Sequence, residues 1–257
     1  SAVSFVAARS GARLELGRHD RNVSGIEFFP LGHRLLTWSH AAGAVVWDSG
    51  SGRALRQLRD GGGGGTDALC ILPDGDRIAT CSENRGCVVW DVASGSCITR
   101  LPVPATPLDS STFVQIAALP RGDRLLTWGT EKSAVVWDAT TGNIVCNVRE
   151  EWPLLDRAAI FSDGARVVVG SSQGMGAAIW DLATCRQSLA LDTHHVVDLA
   201  PLSGGSMLAL LDSRGWTSIH DCTSGERLHL IRGDDPMLMA LGAVAFGMTP
   251  AEVNFAF

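Results

Sequence analysis

Tyrosine is missing from this 257-residue chain, lysine occurs once, at Lys132, and no apolar run reaches 18 residues. The last absence excludes a membrane-spanning helix. A sustained 3.6-residue apolar period is also lacking, and 29 glycines interrupt most windows, so long helices are not expected. There is no Cys-x-x-Cys pair, no Gly-x-Ser-x-Gly elbow, and no Gly-rich loop followed by Lys-Ser/Thr. The usual marks of a zinc ribbon, a serine hydrolase and a nucleoside triphosphatase are therefore absent. The glycine run at 61–65 joins two apolar segments and reads as a flexible connection.

Basic residues are few and dispersed. The 21 Lys and Arg stand against 27 Asp and Glu, for a net charge of −6, and the arginines are scattered among the turns. Nucleic-acid binding needs a clustered basic face, so no nucleic-acid partner is expected. Residues 1–11 lack the charged-then-apolar layout of a secretory signal. The seven cysteines are odd in number and lie in or beside apolar segments. They read as small buried apolar residues of an intracellular protein in a reducing compartment. Cys81 and Cys87 flank one loop and leave a zinc or disulfide pair open, although no local histidine completes a ligand set.

What the chain has is a repeat. VVWD recurs at 45–48, 88–91 and 135–138, followed by AIWD at 178–181 and SIHD at 218–221. The steps from Trp47 to Trp90, Trp137, Trp180 and His220 are 43, 47, 43 and 40 residues. Upstream of each copy stands a Gly-polar turn flanked by apolar segments, as in PLGHRLLTW (30–38), PDGDRIATC (73–81) and PRGDRLLTW (120–128). Downstream comes a second turn, as in ASGSCIT (93–99) and TSGERL (223–228). Each unit thus predicts four short strands with Gly supplying positive φ in the hairpins. The recurring Asp48, Asp91, Asp138, Asp181 and Asp221 sit before those turns, where Asp caps local amides rather than ligating a metal.

These units resemble the blades of WD-repeat β-propellers, and the resemblance covers nearly the whole chain. It departs from the family in lacking most of the Gly-His pairs before the first strand. The Asp expected in the loop before the Trp-Asp strand is replaced by Ala41, Asn84, Glu131, Gly174 and Arg214. The resemblance implies an all-β fold: one domain over 1–257, a ring of four-stranded antiparallel blades. Phe5 stands 42 residues before Trp47, and closing the circle from His220 through both chain ends also takes 42. The expectation is therefore six blades. The last is assembled from C-terminal strands at 241–246 and 252–257 and an N-terminal pair within 1–16. A truncated seven-bladed ring is the rival count.

The resemblance also implies a rigid disc that presents loops to partners. The expected function is a non-catalytic protein-interaction scaffold or docking subunit, with no cofactor and no metal. The loops between second and third strands bring His40, Arg85, Glu131, Lys132 and Arg214 to the face the family most uses for partners. Trp152, in the linker REEWPLL (149–155), reads as an interface anchor, or else as a cover folded over a blade edge. Trp38 and Trp128 read as inter-blade core. Two other readings stand beside the scaffold: a propeller-type enzyme with a channel-mouth site, and a ligand-sensing propeller of a larger signalling protein.

Overall fold

The structure is a computed structural model that describes residues 2–6, 13–18, 22–40, 43–59, 66–82, 86–102, 114–130, 133–152, 154–174, 176–193, 195–202 and 204–232. Among these the chain is all-β. Five four-stranded sheets follow one another in sequence, and no helix occurs. The first sheet is formed by β3 (Gly25–Phe28), β4 (Arg34–Ser39), β5 (Gly43–Asp48) and β6 (Ala54–Leu58). The second contains β7 (Ala68–Ile71), β8 (Arg77–Ser82), β9 (Gly86–Asp91) and β10 (Cys97–Leu101), and the third β11 (Gln115–Ala118), β12 (Arg124–Thr130), β13 (Ser133–Asp138) and β14 (Ile144–Arg149). The fourth is β15 (Arg157–Ile160), β16 (Arg166–Gly170), β17 (Ala177–Asp181) and β18 (Arg186–Leu191). The fifth is β19 (Val196–Pro201), β20 (Met207–Asp212), β21 (Trp216–Asp221) and β22 (Arg227–Arg232). Each sheet keeps its strands in chain order. At the N-terminus β1 (Ala2–Val6) pairs antiparallel with β2 (Arg13–Arg18), with Phe5 opposite Leu14. The C-terminal strands expected at 241–246 and 252–257 lie outside the described residues.

Two compact units are present. One draws on Ser1–Thr127 and Val136–Val145, the other on Trp128–Val135 and Cys146–Phe257, so the third sheet contributes to both. In the first unit Leu36, Val46 and Leu58 pack with Ile78, Val88 and Trp90 of the next sheet, and Trp38 lies against them. In the second unit Val168 and Ile179 pack with Leu208 and Leu210. Central strands are therefore covered on both faces: all of β5 except Asp48 is buried, whereas β6 is exposed up to Leu58. This is why VVW and VVV runs replace strict alternation.

The repeat's punctuation has a physical counterpart in each sheet. Asp48, Asp91, Asp138, Asp181 and Asp221 accept hydrogen bonds from the amide and hydroxyl of Ser51, Ser94, Thr141, Thr184 and Ser224, at 2.5–3.1 Å. The turns then close through a left-handed residue: Gly52, Gly95, Gly142, Cys185 or Gly225. In three sheets the Trp indole donates to a threonine on the neighbouring strand, Trp47 to Thr37, Trp90 to Thr80 and Trp137 to Thr127, each at 2.8 Å. Successive sheets are also clamped alike. Arg34 donates to the Gly75 carbonyl at 2.6 Å and Arg77 to that of Gly122 at 2.6 Å. In the second unit Arg166 reaches Gly205 at 2.7 Å.

Four of the seven cysteines are bonded, contrary to the expectation of reduced thiols. Cys81 pairs with Cys87 directly across β8 and β9, which resolves that pair as a disulfide. Cys146 on β14 pairs with Cys185 in the turn after β17. Disulfides persist in oxidising compartments, which weighs against the reducing one expected from sequence. No helix among the described residues is long and apolar enough to cross a membrane.

The turn carboxylates predict an acid limb. Hydrogen bonds from the turn hydroxyls and amides hold all five below the ordinary carboxylate range. Their folded pKa lies below the unfolded value of about 3.9. The stability they add is thus present above that value and lost as pH falls through the folded one. Urea midpoints should fall steeply below about pH 4. Replacing Asp91 by Asn keeps an acceptor without the charge and should make that fall shallower; an identical limb would refute the assignment.

Candidate functional site

Three of the six expected partner-facing residues are described. His40 is exposed at the end of β4, with its imidazole Nδ1 2.9 Å from Asp67 Oδ1 and its main-chain amide donating to Ser24 Oγ at 3.1 Å. Arg214 occupies the turn between β20 and β21. Its Nε and Nη2 donate to Asp212 Oδ2 at 3.0 and 2.7 Å, while its guanidinium lies 5.2 Å from the Trp216 ring centre. Arg85, Glu131 and Lys132 lie outside the described residues.

Trp152 is half-buried, and its side chain lies against the backbone of Gly174 and Gly176 between β16 and β17. A Cβ on Gly176 would stand in ordinary contact with the indole, at 3.4 Å, and the glycine is required there by its φ of 119°. Glu150, near Trp152 in the chain, has turned inward. In the fourth sheet Val169 replaces the repeat's threonine, and the Trp180 indole donates instead to Glu150 Oε1 at 2.7 Å. Burial pushes the Glu150 carboxyl above its ordinary range, and the indole bond offsets part of that.

The second unit holds a cavity of about 560 Å³ beside the fifth sheet. Its floor is where the repeat is most worn. Register equates Leu35–Trp47 and Thr37–Val45 of the first sheet with Leu208–His220 and Leu210–Ser218 of the fifth. A histidine thus stands for the tryptophan and a serine for the valine, and both line the cavity. Smaller side chains in a frame held by four paired strands leave a void rather than a collapse. His220 is buried, with Nδ1 3.3 Å from the Gly225 carbonyl oxygen and Nε2 3.0 Å from Ser218 Oγ. A carbonyl only accepts, so Nδ1 carries the proton and Nε2 accepts from the serine hydroxyl. Burial lowers the His220 pKa, keeping the ring neutral at pH 7.

No model of a known protein family matches this sequence, and no curated protein aligns with it at significant similarity.

The cavity's rim carries charge of both signs. Arg227 and Asp192 both border it, and neither makes an ion pair among the described residues. Thr193 Oγ1 is buried at the same wall without a hydrogen-bond partner. Trp216 also borders the site, its ring approached by Arg214 and by Arg232, at 4.9 Å. Sequence reasoning passed over this site. The one available signal was SIHD in place of VVWD.

Proposed function

We propose that the five sheets are blades of a WD-repeat propeller of six blades, the last closed by both chain ends, and that the protein is a non-catalytic docking subunit. The propeller reading is supported by the repeated arginine clamp, which joins one sheet's second strand to the next sheet's hairpin turn at separations of 41, 45 and 39 residues. A like contact recurring at three junctions is what stacking of similar units requires. The first strands agree, since β7 lies beside β11 and, in the other unit, β15 beside β19.

The scaffold reading is carried by the fourth strands. Each sheet ends in a strand with one paired neighbour, and Leu55, Ile98, Val145 and Leu228 are exposed three positions before the buried Leu58, Leu101, Val148 and Ile231. Apolar side chains repeated on open edges offer area and unpaired backbone groups to a partner. The loop residues His40 and Arg214 add polar contacts.

Affinity capture from a native extract tests the reading with two variants. One carries His40→Ala, Arg85→Ala, Lys132→Ala and Arg214→Ala; the other carries Leu55→Glu, Ile98→Glu and Leu228→Glu. A stoichiometric partner lost from both variants is the expected result. Loss from the second alone moves the interface to the edge strands. A parent protein recovered without a partner overturns the docking role.

A further inference from the structure

We propose that the cavity beside the fifth sheet binds a small zwitterion, an apolar amino acid or dipeptide with free amino and carboxyl groups. The proposal is independent of the docking role. It begins with the way the cavity is made. Four repeats place Trp at the end of the third strand, and the fifth places His220 there, with Ser218 two residues earlier on the same face. Neither is a worn residue left idle, because the two are bonded to each other and the ring is fixed by the Gly225 carbonyl. The volume, about 560 Å³, falls within the range of small-molecule sites.

The walls select the chemistry. Val196, Leu210 and Leu230 supply an apolar surface for a side chain. Arg227, without an ion pair among the described residues, suits a carboxylate, and Asp192, equally uncommitted, suits an ammonium group. The two are not ion-paired with each other, so a ligand carrying both charges can engage both at once. The buried hydroxyl of Thr193 has no partner, a cost that a bound carboxylate or peptide carbonyl removes. With His220 neutral, the ring adds no competing positive charge to the floor.

The test is calorimetric titration of the full chain with L-leucine, L-leucyl-L-leucine, N-acetyl-leucine and leucinamide. Leucine or its dipeptide should bind, and both blocked forms should bind at least about tenfold more weakly. Arg227→Gln and Asp192→Asn, both on exposed side chains, should each weaken binding of the free form by a similar factor. The double variant Ser218→Val, His220→Trp restores the repeat's own residues and should abolish binding without lowering the thermal midpoint. No binding of any of the four probes to the parent overturns the proposal. N-acetyl-leucine binding as tightly as leucine also overturns it, assigning the cavity to a simple organic anion. Unchanged binding in both single-charge variants places the ligand elsewhere and overturns it as well.

Discussion

Replacing Trp137 by Ala should cost about 3–5 kcal/mol of unfolding free energy, the range for a fully buried aromatic. Trp137 is 1% exposed, and its indole is the donor for the buried Thr127 hydroxyl. Truncation therefore removes apolar contacts and orphans a polar atom together. Domains of this kind keep only about 5–15 kcal/mol in total, so the variant should sit near its folding threshold. Two companions separate the terms. Trp137→Phe retains most of the ring packing and should lose nearer about 1–3 kcal/mol. Trp180→Ala should cost less than Trp137→Ala, because Trp180 is only half-buried. Urea titration of the three variants is the measurement, and equal losses at 137 and 180 would refute the burial argument.

Reduction of the Cys146–Cys185 bond should lower stability by about 2–4 kcal/mol, the chain-entropy range for a crosslink of intermediate loop length. The two residues are 39 apart, against six for Cys81 and Cys87, so the longer closure carries most of the effect. Cys185 has φ of 54°, in the left-handed position that four other turns fill with glycine. A side chain there costs about 1–2 kcal/mol. Cys185→Gly should therefore be less damaging than Cys185→Ala, although both lose the bond. Denatured, never-reduced protein should titrate three thiols, Cys70, Cys97 and Cys222. In the native protein Cys97 should react first, since it alone is exposed, whereas burial pushes the Cys70 thiol up to about 12. Seven thiols in the never-reduced sample would rule out both bonds.

These cases mark what could be read from the residues. The strands of all five sheets follow from the Gly turns and the Trp-Asp ends, His-Asp in the fifth, because turn chemistry acts over a few neighbouring residues. The capping role of the five aspartates follows for the same reason. The neighbours of Trp152 do not, since they include Gly174 and Gly176, more than twenty residues later in the chain. The second disulfide had a faint local sign, a cysteine where the other turns have glycine, yet its partner lies in a preceding repeat. The cavity had its sign too, His220 for tryptophan. Whether a smaller residue leaves a void depends on how far its neighbours collapse, and that is settled by packing rather than by pattern.

The arginine clamp bears on how such a chain can grow. The second repeat carries both a donor, Arg77 opening its second strand, and an acceptor, the carbonyl of its own hairpin Gly75, whereas the fifth opens that strand with Met207. Copying one whole repeat in tandem adds a donor and an acceptor together, and every existing bond finds an equivalent. Copying half a repeat strands one of the two in the interior. Lengthening in whole units is then nearly free of penalty, and the clamp also accepts connections of different length, since its separations run from 39 to 45 residues.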